Sequence, residues 1–266
     1  MAMHASIFDS YQAGSSLIHK LDPRVKIVIT IFFILSNALI PDGAWIIFGM
    51  TWLSLVLVDK LAGLQLSYLL KRSFIALPFA IAAITVIFNI PGNSLYSFQV
   101  GARTLTITDA GVIRFFSILL RSWLSVQAAI LLISTTRFPD LIHGFRHLKT
   151  PQAIVSIIAF MYRYLFVLND ELIRILRARQ ARSAKVPGQK SGGTLTWRAK
   201  VAGNIAGQLF LRSYERSDRV YNAMLARGYQ GELLTMNPHN MQSMDWNALL
   251  LAVAWLLFLQ FLTILL

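Results

Sequence analysis

WNALLLAVAWLLFLQFLTILL, residues 246–266, runs without a single charged side chain. A helix rises about 1.5 Å per residue, so this run reaches about 30 Å, the thickness of a bilayer's hydrocarbon core. No water is available there to satisfy backbone N–H and C=O groups, and a helix bonds them all within one segment. The stretch reads as a membrane-spanning helix. Composition extends that reading to the whole chain. Of 266 residues, 56% are hydrophobic and 14% charged, against about a quarter charged in a soluble domain.

Four further runs have the same character. Residues 25–40 form the first span, opened by Asp22-Pro23, a capping residue followed by a first-turn proline, and closed by Pro41-Asp42-Gly43. The second span is 44–58, ending before Lys60. The third is 73–90, with Pro78 expected to kink it. Residues 91–109 are rich in Gly, Ser and Thr, with a short hairpin expected around Gly101. The fourth span lies within 113–135 and the fifth within 246–266. A sixth is open at 153–168, which either crosses or lies beneath the membrane. Residues 1–26 lack the apolar core of a cleavable signal.

Positive charge orients the chain. The net charge is +13, and 16 of the 25 Lys and Arg fall within 137–232. Lys20, Arg24, Lys26, Lys60, Lys71 and Arg72 share that side if there are five spans, leaving Arg103 and Arg114 opposite. Basic loops stay inside, so a cytoplasmic N-terminus is expected, in a multi-pass protein of the cell (inner) membrane. The expected class is an all-α integral membrane protein of about five spans, with long amphipathic cytoplasmic helices between the fourth and the last. The expected domains are 1–136 (four spans), 137–232 (cytoplasmic helices) and 233–266 (final span).

Residues 137–232 are the unusual part. A short helix is expected over 138–148. A long one follows Thr150-Pro151 to about Ser183, and a second runs from about Leu195 to Ala226, stopped by Gly228. Ala199, Gly203 and Gly207, at spacing four, make a small-residue ridge along which two helix backbones can approach. Ala181-Arg182-Ser183 and Ala226-Arg227-Gly228 each set an arginine among small residues at a helix C-terminus. The modest reading is a favourable dipole contact. The sharper one is a guanidinium fork free to enter a partner's groove.

Catalytic chemistry finds little to stand on. Gly188-Gln189-Lys190-Ser191 lacks the spacing of a phosphate-binding loop. There is no cysteine. His143 and His147 share a helix face, but Arg146 and Lys149 crowd them, so surface histidines outweigh a metal site. His4 near the start reads as chance. Asp170 and Glu171 face different ways and do not form an acid–base pair; Arg163 and Arg174 are their expected partners. Arg121, at the edge of the fourth span, divides evenly between helix packing and function. No metal and no cofactor are expected on this chain.

Four segments carry a resemblance. IHKLDPR (18–24), MYRYLFV (161–167), LRSYER (211–216) and MLARGY (224–229) resemble the transmembrane (T) component of energy-coupling factor transporters, most closely the cobalt-type CbiQ family. The resemblance covers nearly the whole chain. It implies a non-catalytic subunit that couples ATP-binding-cassette ATPases to a small substrate-capturing membrane subunit, with ATP and Mg held by the ATPases and cobalt as cargo. It also implies that Arg182 and Arg227 dock into the two ATPases, with Ser183 standing where the family more often has Gly. Joined to the small-residue ridge, this gives an expected mechanism in which the two long helices shear along Gly203/Gly207. A different class stays in competition: a membrane scaffold whose basic helices hold anionic lipid, with no ATPase. An intramembrane enzyme lacks the necessary cluster of acids, histidines or a nucleophile.

Overall fold

A computed structural model describes residues 11–100, 103–148, 150–182, 193–231 and 241–265. In chain order it contains α1 (Leu17–Lys20), α2 (Pro23–Leu39), α3 (Trp45–Ala62), α4 (Leu66–Arg72), a 3-10 turn (Ser73–Ala76) and α5 (Leu77–Asn89). Strands β1 (Ser94–Val100) and β2 (Arg103–Thr108) follow, then α6 (Asp109–Thr135), α7 (Phe138–His147), α8 (Gln152–Arg182), α9 (Leu195–Ala226) and α10 (Ser243–Leu265). The chain divides into two compact units. One joins Asp9–Leu148 to Pro238–Leu266, and the other is built on Lys149–Asn237.

Local chemistry sets most boundaries of the membrane unit. Asp22 caps α2, its Oδ1 accepting the Arg24 N–H at 2.8 Å, and Pro23 occupies the first turn, where it forfeits no helical hydrogen bond. Gly63 ends α3 in the left-handed conformation (φ +72°), its N–H returning to Asp59 and Lys60 carbonyls. The third span differs from expectation. It begins at Leu66, breaks at the 3-10 turn and resumes as α5 with Pro78 in the first turn. The ring that was expected to kink a continuous helix instead starts a new one, because a missing N–H is harmless there. β1 and β2 pair antiparallel with Val100 opposite Arg103, the short hairpin expected in this stretch; Gly101 itself lies outside the described residues. Thr108 caps α6 by accepting the Gly111 N–H at 3.1 Å, and its hydroxyl also donates to the Ile90 carbonyl.

Polar ties fix which helix ends lie together. At one end, the Asp22 N–H donates to Asp245 Oδ1 at 2.8 Å, joining the starts of α2 and α10. There too, Lys26 Nζ donates to the carbonyls of His19 (3.2 Å) and Thr135 (3.1 Å), joining the start of α2 to the end of α6. At the other end, Arg121 donates to the Ile40 carbonyl and meets Asp42 at 2.7 Å, while the Gly43 N–H reaches Ser117 Oγ at 3.1 Å. Gln260 Nε2 donates to the Ser36 carbonyl at 2.7 Å. So α2 runs parallel to α10 and antiparallel to α6. Phe33, Ile40, Ile47, Phe48, Leu55, Leu124, Ala128 and Leu256 fill the seam between α2, α3, α6 and α10. Lipid is as apolar as these side chains, so close packing and the polar ties, more than water exclusion, hold the bundle.

Five helical segments are long and apolar enough to cross a membrane: Trp45–Ala62, Leu66–Asn89, Asp109–Thr135, Gln152–Arg182 and Ser243–Leu265. At 17 residues α2 falls one short of that length, yet lies within the ~17–25 residues that suffice. Within the unit that joins Asp9–Leu148 to Pro238–Leu266, the helices of about membrane length are α2, α3, α4–α5, α6 and α10, with the end of α6 and the start of α10 on one side. α8 of the other unit, which contains 153–168, is also long and apolar enough to cross.

The tightest backbone approach is at Gly111. A Cβ there would stand 2.6 Å from the Ile87 carbonyl oxygen and 2.8 Å from Thr108 Oγ1. Neither atom is a flexible tip, so α5 and α6 must part to admit it. Gly111→Ala is expected to lower stability by about 2 kcal/mol, read as a lower melting temperature of the detergent-solubilised protein.

Candidate functional site

The second unit contains an antiparallel pair, α8 of 31 residues and α9 of 32. Thr194 caps α9, accepting the Trp197 N–H at 3.4 Å. The pair is pinned at two levels. Arg179 lies over the Trp197 ring at 5.6 Å, and Arg212 donates to Glu171. The second contact corrects an expectation: Glu171 takes its cation from the facing helix, not from Arg163 or Arg174 on its own. On an isolated helix only i±3 and i±4 partners are visible, and the partner here is 41 positions away. Farther along, Phe160, Tyr164, Phe210, Tyr214, Tyr221 and Met224 line a groove of about 740 Å³ between the two helices.

α9 ends as its sequence dictates. Gly228 adopts φ +81°, its N–H returning to Leu225 at 2.9 Å while the Tyr229 N–H returns to Met224 at 3.0 Å. Only a residue without Cβ takes that conformation cheaply. Ala226, Arg227 and Gly228 are all exposed, as are Ala181 and Arg182 at the end of α8; Ser183 lies outside the described residues. Because the helices are antiparallel, the two arginines stand at opposite ends of the pair. Helix rise puts about 45 Å between them.

Ala199, Gly203 and Gly207 do not pack against α8. A Cβ added at Gly203 or Gly207 would meet nothing within 4 Å. The half-buried line of α9 is Val201, Ile205 and Leu209. Each sits two positions past a ridge residue and, at about 100° per residue, on the opposite face. Shear of α8 along the Gly203/Gly207 ridge is therefore not available within the pair. The ridge faces away from α8.

The other residues singled out by sequence belong to the membrane unit. Arg121 satisfies the C-terminal carbonyl of α2 and pairs with Asp42, which makes it a packing residue. His143 and His147 lie with ring centroids 4.7 Å apart. Among the described residues no group of three or more His, Asp or Glu could hold a metal. His4 lies outside them. Partial burial, then the positive charges of Arg24 and Arg146, hold His147 below the usual histidine value of 6.5. A lowered folded-state value means the folded chain resists protonation. The associated stability is present above pH 6.5 and is lost as pH falls through the folded value. His147→Gln should flatten that part of a melting-temperature profile measured from pH 7.5 to 5. Sequence reading missed Asp245, which accepts backbone N–H groups of both Asp22 and Gln242. Its only local signal was an acid in a first helical turn.

Comparison with known proteins agrees with this architecture. Residues 14–238 match the family model described as cobalt transport protein, CbiQ. The chain is 32% identical over 236 residues to the energy-coupling factor transporter transmembrane protein EcfT of Brevibacillus brevis, covering 83% of each. It is 31% identical over 233 residues to EcfT of Clostridium kluyveri, covering 83% of this chain and 82% of that one. An uncharacterised protein of Methanocaldococcus jannaschii is 29% identical over 231 residues, covering 85% of this chain and 76% of the other.

Proposed function

We propose, from the premise that the chain belongs to the CbiQ family and is the transmembrane component of an energy-coupling factor transporter, that its α8–α9 pair couples two ATPase subunits to a substrate-capturing membrane protein. The chain is non-catalytic, and ATP and Mg act on the partners. The observation that carries this reading is the pair of exposed arginines, Arg182 and Arg227, at opposite ends of one antiparallel pair. Each is clasped by one ATPase. When ATP draws the ATPases together, both ends of the pair are driven at once.

α8 and α9, held by Glu171–Arg212 and Arg179–Trp197, then move as one piece. Ala199, Gly203 and Gly207, turned away from α8, offer a close-approach face to a helix of the capturing subunit. Its motion tilts that subunit. The end bearing Lys20, Arg24, Lys26, Lys60, Lys71 and Arg72 is cytoplasmic, which the excess of positive charge supports. The N-terminus lies on that side. Cobalt is the cargo we favour, supported by the family's description.

The test is purification of the tagged chain in mild detergent, with co-purifying proteins identified by mass spectrometry. Recovery of an ATPase together with a small membrane protein is the expected result. Cobalt bound to that small protein would support the cargo, whereas a vitamin there would replace it. Recovery of the chain alone, or with lipid only, overturns coupling in favour of the scaffold reading.

A further inference from the structure

α3 is long and apolar enough to cross a membrane, yet it carries an acid three residues before its end. Asp59 is fully buried, and neither of its carboxylate oxygens meets a hydrogen-bond donor among the described residues. Lys26, a buried cation at the same end of the bundle, is committed to the His19 and Thr135 carbonyls. A bare carboxylate so placed is too costly to stand alone, and an ionisable group within a membrane helix marks a functional site by default.

Two more unsatisfied side chains face it. α3 turns back from α2 and so runs parallel to α6. Trp52 of α3 stacks on Trp123 of α6, ring centroids 6.4 Å apart, and Leu55 packs with Leu124 and Ala128 one turn on. At about 100° per residue, Asp59 returns to the face of Trp52, and Gln127 and Ser134 return to within about 40° of the face of Trp123. At about 1.5 Å per residue, Asp59 lies about 10 Å beyond the stacked rings, between Gln127 at about 6 Å and Ser134 at about 16 Å. Both are buried, and neither the Gln127 amide oxygen and nitrogen nor the Ser134 hydroxyl has a hydrogen-bond partner among the described residues.

We propose that Asp59, Gln127 and Ser134 form a binding site for a monovalent alkali cation between α3 and α6. Oxygen donors suit a hard cation. One carboxylate cancels one positive charge, whereas a divalent ion would leave a buried excess. A proton on Asp59 would neutralise it but would add an unpaired O–H and leave the Gln127 and Ser134 oxygens unsatisfied. The ion pins α3 to α6 beyond the stacked tryptophans, at the end of the bundle where Lys26 ties α2 to α6.

The test is the melting temperature of the full chain with whatever partners co-purify, in mild detergent at constant ionic strength, as N-methyl-D-glucamine chloride is replaced by sodium or potassium chloride. At least one of the two alkali salts should raise it by about 5 °C and saturate, the behaviour of a ligand bound only by the folded chain. Asp59→Asn should abolish that rise. Should the Asn variant fail to fold, Ser134→Ala, which removes one buried oxygen, should move the half-saturation point about threefold or more higher. A melting temperature indifferent to both salts overturns the proposal. So does a rise that survives Asp59→Asn, or a half-saturation point unmoved by Ser134→Ala. Magnesium chloride that matches the alkali salt at equal ionic strength also overturns it.

Discussion

Arg182→Glu combined with Arg227→Glu is expected to abolish recovery of the proposed ATPase partner, while the chain still inserts in the membrane and still behaves as a single species in detergent. The size of the effect follows from where arginines sit in interfaces. Truncating a desolvated, hydrogen-bonded arginine costs on the order of 2–4 kcal/mol. Under the proposed docking, a carboxylate in place of each bound guanidinium adds repulsion. Two such losses at separate surfaces exceed what a transient complex can absorb. Insertion is spared because both residues are exposed at helix C-termini, where an acid costs only about 0.3–1 kcal/mol. Either single reversal should leave partial recovery, since the ends are about 45 Å apart by helix rise and engage independently. Lys190→Glu with Arg198→Glu changes net charge by the same amount and should leave recovery intact. Loss of the ATPase in that control, or normal recovery in the Arg182/Arg227 variant, would show that bulk charge governs assembly.

Removing the Asp245 carboxylate is the most damaging single change expected in the membrane unit. Asp245 is 5% exposed, and its two oxygens accept the backbone N–H groups of Asp22 and Gln242 at 2.8 Å each. One bond caps its own helix from the third helical position, in the manner of a capping box. The other fastens the start of α10 to the start of α2. Asp245→Ala leaves both N–H groups without that acceptor in a site where water is scarce, at about 3 kcal/mol in total. That is a fall of about 6–12 °C in apparent melting temperature. Asp245→Asn keeps one carbonyl acceptor and should lose about half as much. A melting temperature unchanged by Asp245→Ala would mean the two helix starts are held by packing alone.

The spans were legible because bilayer thickness sets a length and an apolar run either reaches it or does not. Helix ends governed by their own neighbours were legible for a similar reason. Asp22-Pro23 and Gly228 act through atoms one to four residues away, so the start of α2 and the end of α9 could be read closely. Contacts between distant segments left no such mark. Asp245 and Asp22 are 223 positions apart, and nothing near either names the other. The small-residue ridge misled for a different reason. Spacing four fixes which residues share a face, but the larger Val201, Ile205 and Leu209 are what α9 turns toward α8. Gly111, whose backbone approach is real, stands without a small neighbour at the telling spacing. In the third span the proline was visible, but whether it kinks a helix or starts one depended on the 3-10 turn before it.

The side-by-side placement of the end of α6 and the start of α10 has a developmental consequence for the family. An excursion that leaves and re-enters a membrane protein at one face is topologically neutral. It can lengthen, shorten or be exchanged without inverting a single span or disturbing the insertion order of the rest. On the proposed topology the α8–α9 pair is such an excursion. The part proposed to meet other proteins is thereby free to drift toward new ones, while the membrane unit stays locked by Asp22, Lys26, Thr135 and Asp245.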